Sequence, residues 1–349
     1  MVVFGIDAHK RNHTAVAVDD RGRKLGERTT GTTSGDHLRL LTWAKRWGDD
    51  RLWAIEDCRQ LSRRLARDLL AAGERIVRVP PKLMANCRSS ARTYGKSNPI
   101  DALAVARAAL REPDLPTASL DGDTRELRLL VDHRDDLVAE RTRAINRLRW
   151  HLHELDPTLD PPARCLIPAK HLNTLTARLA EADGTVARLA RHLLERCRYL
   201  TLEIRSLEEE IQVLVSEAAP SLMNIPGCGA LNAAKILGET AGIARFRSKS
   251  AYARHNGTAP LPVWSGNRER HRLARTGNRQ LNAALHRIAI TQAHYHPDAR
   301  AYLQRRKEAG NTSTEAIRAL RRRLSDVVYR ALLSDAHILN DRSSLQQAA

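Results

Sequence analysis

Four places in the chain gather residues whose chemistry exceeds what folding needs. Asp7 closes the apolar run VVFGI, and Glu56 follows the run RLWAI. Asn98 and Asp101 stand three apart in SNPID, and Ser265 in WSG precedes a series of arginines. A carboxylate at the end of an apolar strand is costly unless it has a partner. Strands of one sheet end side by side, so Asp7 and Glu56 meet at one edge if their strands are neighbours. Asn98 and Asp101 share the first turn of a helix and project together. Each residue also has a plainer reading. Asp7 and Glu56 terminate strands, and Asn98 before Pro99 is a good N-cap with Pro at the first helical position. Grouped at the ends of consecutive core elements, they point instead to a metal site formed by Asp7, Glu56, Asn98 and Asp101. Phosphodiester cleavage asks for such a grouping. Two Mg2+ ions about 4 Å apart activate a nucleophile and stabilise the leaving oxygen, and Mg2+ prefers carboxylate oxygens.

A serine followed by glycine is usually only a turn. Here Arg268, Arg270, Arg272, Arg275 and Arg279 follow Ser265 closely. Guanidiniums bind phosphates through paired hydrogen bonds, so Ser265 reads as a nucleophile on phosphorus. Upstream, IPGCG at 225–229 opens an alanine-rich helix. The backbone around Gly227 and Gly229 reads either as a phosphate-binding helix-hairpin-helix element or as an ordinary tight turn between helices.

The elements that must position these residues follow from periodicity. The opening apolar run and the alternating NHTAVAVD predict a hairpin, with a third strand over 24–30. Leu38, Leu41, Ala44 and Trp47 are at helical spacing. A strand over 51–55, a helix closed by Gly73, a strand over 75–79 and the helix ALAVARAAL opened by residues 95–101 complete the order β-β-β-α-β-α-β-α. That order is α/β with a mixed sheet. Two long helices follow, over 127–155 and about 185–216. The second keeps unbroken 4-3 spacing from Leu193 through Cys197, Leu200, Ile204, Leu207 and Ile211 to Leu214, a coiled-coil pattern. It predicts an antiparallel helical arm whose seam takes either a second subunit or the first long helix as its partner. Arg134 and Arg141 interrupt the first helix's stripe; they either reach nucleic acid or snorkel out of the seam. Three helices are expected between Arg279 and Asp335, and a frayed polar tail beyond them. The expected divisions are 1–115, 116–218, 219–338 and a tail, 339–349.

Composition bounds the partners. The 349 residues hold 58 basic and 40 acidic side chains, a net charge of +18. A polyanionic partner is implied, with nucleic acid favoured. No apolar run approaches the roughly 20 residues that span a bilayer, and Asp7 interrupts the apolar start, which argues against a signal peptide. Five cysteines, never in CxxC spacing, fit reduced thiols in a cytoplasmic protein rather than structural zinc. The pairs His151/His153 and His294/His296 lack helical metal spacing.

The ordered set GIDAHK (5–10), AIED (54–57), GKSNPIDALAVARAAL (95–110), INRL (145–148), IPGCG (225–229), NGTAPLPVWSG and RTGNRQLNAAL (256–285) resembles the DEDD transposases of the insertion sequence 110 family, the bridge-RNA-guided recombinases. The resemblance runs nearly end to end. It implies an RNase H-like (RuvC-like) α/β domain, then a long antiparallel coiled-coil arm, then a mostly α-helical domain carrying a catalytic serine. It implies that Asp7, Glu56 and Asp101 hold Mg2+ and that Ser265 joins covalently to DNA, with Lys96 among the residues facing nucleic acid. It also implies a structured bridge RNA that pairs with donor and target DNA, and a dimer or tetramer that combines one subunit's metal cluster with another's serine. Where the family has Asp, this chain has Asn98, so the site carries one negative charge fewer. Two other readings stand beside a recombinase. One is a nuclease like a Holliday-junction resolvase, which needs no Ser265. The other is an inactive RNA- and DNA-binding protein.

Overall fold

In a computed structural model the chain is described except for residues 58–60, 91–94, 96, 113, 119–123, 160, 163–165, 267, 275, 276 and 349. At 265, 268–270, 273 and 340–348 only the backbone is described. The N-terminal elements are β1 (Val2–Ala8), β2 (His13–Val18), β3 (Lys24–Thr30), α1 (Ser34–Ala44), β4 (Arg51–Glu56), α2 (Arg63–Ala71), β5 (Ile76–Val79), α3 (Pro81–Ser89) and α4 (Asn98–Arg111). Then come α5 (Thr124–Leu155), α6 (Ala169–Ala180), α7 (Gly184–Ala218), α8 (Pro220–Met223), α9 (Ala230–Thr240) and α10 (Lys249–His255). The chain ends with β6 (Pro260–Ser265), β7 (Arg268–Leu273), α11 (Arg279–Tyr295), α12 (Pro297–Glu308) and α13 (Ser313–Ala348). Two compact units result: Met1–Gly122 with Thr240–His337, and Asp123–Glu239 with Ile338–Ala349.

In the first unit a five-stranded sheet has the order β3-β2-β1-β4-β5. β2 runs antiparallel to β1, and β4 runs parallel to it. The mixed sheet expected from the element order is the one formed. β1 is buried on both faces, so it reads as a near-continuous apolar run. Phe4, Ile6 and Trp53 pack under α1 and α2, with Phe4 stacked on Trp53 at 4.7 Å between ring centroids. Val3, Val16 and Ala54 pack under α3 and α4. Gly5 explains how closely α4 lies on the sheet. A Cβ there would stand 2.0 Å from the Ala102 carbonyl oxygen and 2.5 Å from the Ala106 nitrogen, both backbone atoms. Gly5→Ala should therefore cost at least 1–3 kcal/mol, as overpacked cores do, and should lift α4 from β1. Urea unfolding measures it; an unchanged midpoint would show that the backbones can part without cost.

A buried ion cluster lies on the other face. His37 Nδ1 donates to Asp68 Oδ2 at 2.7 Å, and the His13 ring lies 5.5 Å from His37 between centroids. Burial opposes ionisation of Asp68, but hydrogen bonds from His37 and Arg67 overcome it and hold its pKa at about 2. Burial, then the nearby charges of His37 and His9, push His13 down from 6.5 to about 4. The folded protein thus keeps His13 neutral where the unfolded chain would take up a proton. This contribution to stability is intact above about pH 6.5, falls as the pH drops, and is fully lost below about pH 4. The loss is on the order of 3 kcal/mol. Urea midpoints across that window should fall for the parent and fall less for His13→Gln; equal slopes would remove His13 as the cause.

In the second unit α5 and α7 pack antiparallel. Leu148 and Leu152 meet Ala190 and Leu194, and Leu137 meets Leu200 and Ile204. The predicted seam of α7 is therefore covered by the first long helix, the second of the two partners that the spacing allowed. α6, with Leu172, Leu175 and Leu179 against α7, was not foreseen. Two sequence expectations are corrected. The predicted turn-rich stretch after Asn256 contains the β6–β7 hairpin, because Pro260 and Pro262 disguise an otherwise alternating strand. The predicted frayed tail is helical to Ala348, since its Leu, Gln and Ala residues favour helix despite their polarity as a group.

Candidate active site

β1 and β4 are parallel neighbours in register, with Ile6 beside Ile55. Asp7 and Glu56 therefore leave the sheet side by side. α4 packs on β1 with Ala102 against Gly5, so Asp101, the residue before Ala102, lies close enough to these strand ends for its charge to act on Glu56. Asp7 and Asp101 are buried, and Glu56 is partly buried. Glu56 reports the grouping. Its pKa is raised first by burial, then by the negative charges of Asp7 and Asp101. Three carboxyl groups from three elements thus share one electrostatic neighbourhood, as their positions in the chain predicted.

Two side chains without an assigned role in the sequence reading are part of this cluster. Arg88, on α3, donates from Nη1 to Asp101 Oδ1 at 2.7 Å and also lies in the field of Glu56. His9 Nε2 donates to Asp7 Oδ2 at 2.9 Å. His9 was visible within GIDAHK, two residues from Asp7. Nothing local marks Arg88, thirteen positions before Asp101.

The donors fit a hard divalent cation in kind: three carboxylates whose mutual repulsion such an ion would relieve. In their present rotamers, however, no three acidic, His or Cys side chains among the described residues close into a ligand cage. The charge interactions on Glu56 and the absence of a cage do not conflict, because repulsion acts over longer distances than coordination. Asn98 is half-buried at the first position of α4, one turn before Asp101. The N-cap is Ser97, with extended backbone, which corrects the expectation that Asn98 caps the helix. Lys96 lies outside the described residues.

The serine hairpin is built separately. Ser265 ends β6 opposite Arg268, and Gly266 turns the chain at φ +57°. The register pairs Val263 with Arg270 and Leu261 with Arg272. Alternation along the strands then puts positions 265, 263 and 261 on one face with positions 268, 270 and 272. Arg275 lies outside the described residues, and Arg279 starts α11 after the capping residue Asn278.

A clasp holds the base of this hairpin. Gly257 and Gly277 come so close that a Cβ on Gly277 would meet the Gly257 nitrogen at 2.3 Å. Asn256 is fully buried; its Nδ2 donates to Ser325 Oγ at 2.8 Å on α13. Asn282 Nδ2 donates to the Asn256 carbonyl at 3.0 Å, and Arg321 Nη1 donates to Asn282 Oδ1 at 2.9 Å. The NGT and TGN motifs thus serve packing, a role that spacing alone did not disclose.

The other expected nucleic-acid contacts are placed as follows. Arg134 Nε donates to Glu208 Oε1 at 2.9 Å across the α5–α7 pair. Arg141 is half-buried, with its Nη1 3.3 Å from Thr201 Oγ1, and burial lowers its pKa. Both side chains are held by partners on α7, which corrects the expectation that they snorkel out of the seam. Gly227, at φ +82°, makes the turn between α8 and α9, and the Cys228 N–H within it donates to the Ile225 carbonyl at 2.9 Å.

Two family models match. One, described as a transposase of the DEDD, IS110 type, takes in residues 4–157. The other, described as the transposase IS116/IS110/IS902 family, takes in residues 219–304. Together they cover more than half of the chain. The chain belongs to the IS110 family of DEDD transposases. It is similar over nearly its whole length to a 44.8 kDa protein of insertion element IS116 from Streptomyces clavuligerus, 27% identical over 99% of this chain and 98% of that one. A 42 kDa protein of insertion element IS900 from Mycobacterium paratuberculosis is 28% identical over 95% of each. Among solved structures, RuvC of Thermus thermophilus aligns with 34% of this chain and 100% of its own, at 18% identity and a TM-score of 0.28. The family places this transposase among DNA-recombining enzymes of insertion elements. No helix among the described residues is long and apolar enough to cross a membrane.

Proposed function

We propose that this transposase is an RNA-guided DNA recombinase, working as a dimer or tetramer with a structured bridge RNA that pairs with donor and target DNA. The observation that carries the catalytic part is the carboxylate trio Asp7, Glu56 and Asp101, in which burial and then the charges of Asp7 and Asp101 raise the pKa of Glu56. The sheet order and the antiparallel β2 support a RuvC-like reading of residues 1–115. In that reading Asp7, Glu56, Asp101 and the side-chain oxygen of Asn98 hold Mg2+. Bound there, Mg2+ neutralises charge on the scissile phosphate and its leaving oxygen.

The chain's own groups do the rest. Arginines on the face of the hairpin that carries position 265 bind phosphate oxygens and offset the charge of the transition state. The Ser265 Oγ attacks phosphorus. A serine–phosphate bond forms and the bond from phosphorus to the leaving deoxyribose oxygen breaks. The serine proton passes to a base, and the leaving oxygen is protonated. Attack by a hydroxyl from another strand reverses these steps and rejoins the DNA. The energy of the ester is kept, so no nucleotide cofactor is required.

Asp7→Asn tests the carboxylate site. With supercoiled DNA, Mg2+ and the element's RNA, cleavage should fall roughly a thousand-fold, the effect of losing several kcal/mol of metal assistance. RNA binding should be retained. Undiminished cleavage would sink the assignment of the metal site.

A further inference from the structure

The long helix α5 changes character along its length. Its first half, residues 124–140, is rich in carboxylates, several of them spent on partners: Glu140 pairs with Arg196, and Asp135 with Lys235 and Arg134. From 141 to 155 the only carboxylate is Glu154. In that basic half Trp150 is 78% exposed, whereas Trp43 and Trp53 in the sheet core are at 7% and 0%. Arg147 and Arg143 stand three and seven residues before it, which puts all three on one helix face. Both arginines are exposed, and neither has an ion-pair partner among the described residues. An indole forgoes the largest burial available to any side chain when it stays in water. Here it does so beside two guanidiniums with no acidic partner among the described residues.

We infer that the Arg143–Arg147–Trp150 face of α5 binds an unpaired nucleic-acid strand, with one base stacked on the Trp150 indole and the neighbouring phosphates held by the two arginines. Stacking on an aromatic face suits any base. Arg143 and Arg147 are one helical turn apart, about 6 Å along the axis, so they reach successive phosphates. A duplex does not fit, because its base faces are already stacked on one another. A second copy of this chain fits poorly. A two-fold contact centred on Trp150 would be self-complementary in sequence and would bring the arginines of both copies together. The inference rests on the nucleic-acid partnership proposed above but uses none of the catalytic residues.

The test uses the full chain without Mg2+, so its failure leaves the catalytic reading untouched. Anisotropy is measured with labelled oligouridylate, oligothymidylate of equal length, and a blunt duplex, for the parent, Trp150→Ala, Trp150→Phe and Arg147→Gln. Trp150→Ala should bind both single strands about ten-fold more weakly, at the low end of one lost stacking contact, while duplex affinity stays level. Trp150→Phe should recover most of that loss, and Arg147→Gln should flatten the salt dependence. A loss confined to oligouridylate identifies the strand as RNA, and an equal loss on both leaves an unpaired strand of either kind. Single-strand affinity unchanged by Trp150→Ala overturns the inference, as does failure of the parent to bind either strand. A fall in mass by light scattering with affinity unchanged also overturns it, and gives the face to a second copy. Since Trp150 is exposed, thermal melting followed by circular dichroism should show the variants folded as the parent is.

Discussion

Ser265→Ala should abolish the covalent protein–DNA adduct while leaving RNA binding intact. Alanine keeps the backbone pairing of position 265 with Arg268, so the strand ladder of the hairpin is retained. What disappears is the oxygen proposed to attack phosphorus. The arginines of the same hairpin remain, so phosphate binding persists without bond exchange. The measurement is a denaturing gel of end-labelled DNA after incubation with the protein, Mg2+ and RNA. The parent should retain label in the protein band, and the variant should lose it completely rather than partly, because no second hydroxyl is proposed to substitute. Adduct at full yield in the variant would assign attack to another nucleophile. Strand cuts without adduct in both proteins would mean that water attacks, as in a resolvase. Disruption of the clasp beneath the hairpin, for example by Gly277→Val, should lower adduct yield by a different route, with a measurable loss of stability.

The contrast between these variants follows from what local sequence can encode. β1, β2 and β4 were legible because each is a short run with its own apolar pattern, and the order of elements constrains which strands become neighbours. Asp7 and Glu56 were legible for the same reason: each stands at the end of such a run, and parallel neighbours end together. Close backbone approaches leave no such trace. Gly5 looks like any glycine within a strand until α4 is laid across it. Gly257 and Gly277 are twenty residues apart and look like two turns until they touch. Arg88 belongs to the carboxylate cluster through a fold-level contact with Asp101, and its own helix gives no hint of it. The hairpin that carries Ser265 was hidden by two prolines and by arginines at alternate positions. That alternation is a strand pattern with arginines rather than apolar residues at the alternate positions. The His13–His37–Asp68 cluster likewise joins β2, α1 and α2, three elements whose meeting periodicity does not specify.

Asn98→Asp should raise DNA cleavage by one to two orders of magnitude at limiting Mg2+. In the proposed metal site Asp7, Glu56 and Asp101 would supply three negative charges for two divalent ions, and a fourth carboxylate one helical turn before Asp101 would add to their attraction. In a partly dehydrated site one such charge is worth a few kcal/mol, and each 1.4 kcal/mol is about a factor of ten. A purely structural role for position 98 makes a different forecast. The N-cap is already Ser97, so Asp at 98 would act on the helix only through its charge near the N-terminus. That is worth about 0.3–1 kcal/mol of stability and would leave cleavage unchanged. Cleavage rates and thermal midpoints of the two proteins, measured across a Mg2+ titration, separate the two roles. If position 98 is a ligand, the rate curve of Asn98→Asp shifts to lower Mg2+ and rises, and the midpoint gains more from Mg2+ than the parent's does. Superimposable Mg2+ curves would take position 98 out of the metal site and leave Asp7, Glu56 and Asp101 to hold the ions alone.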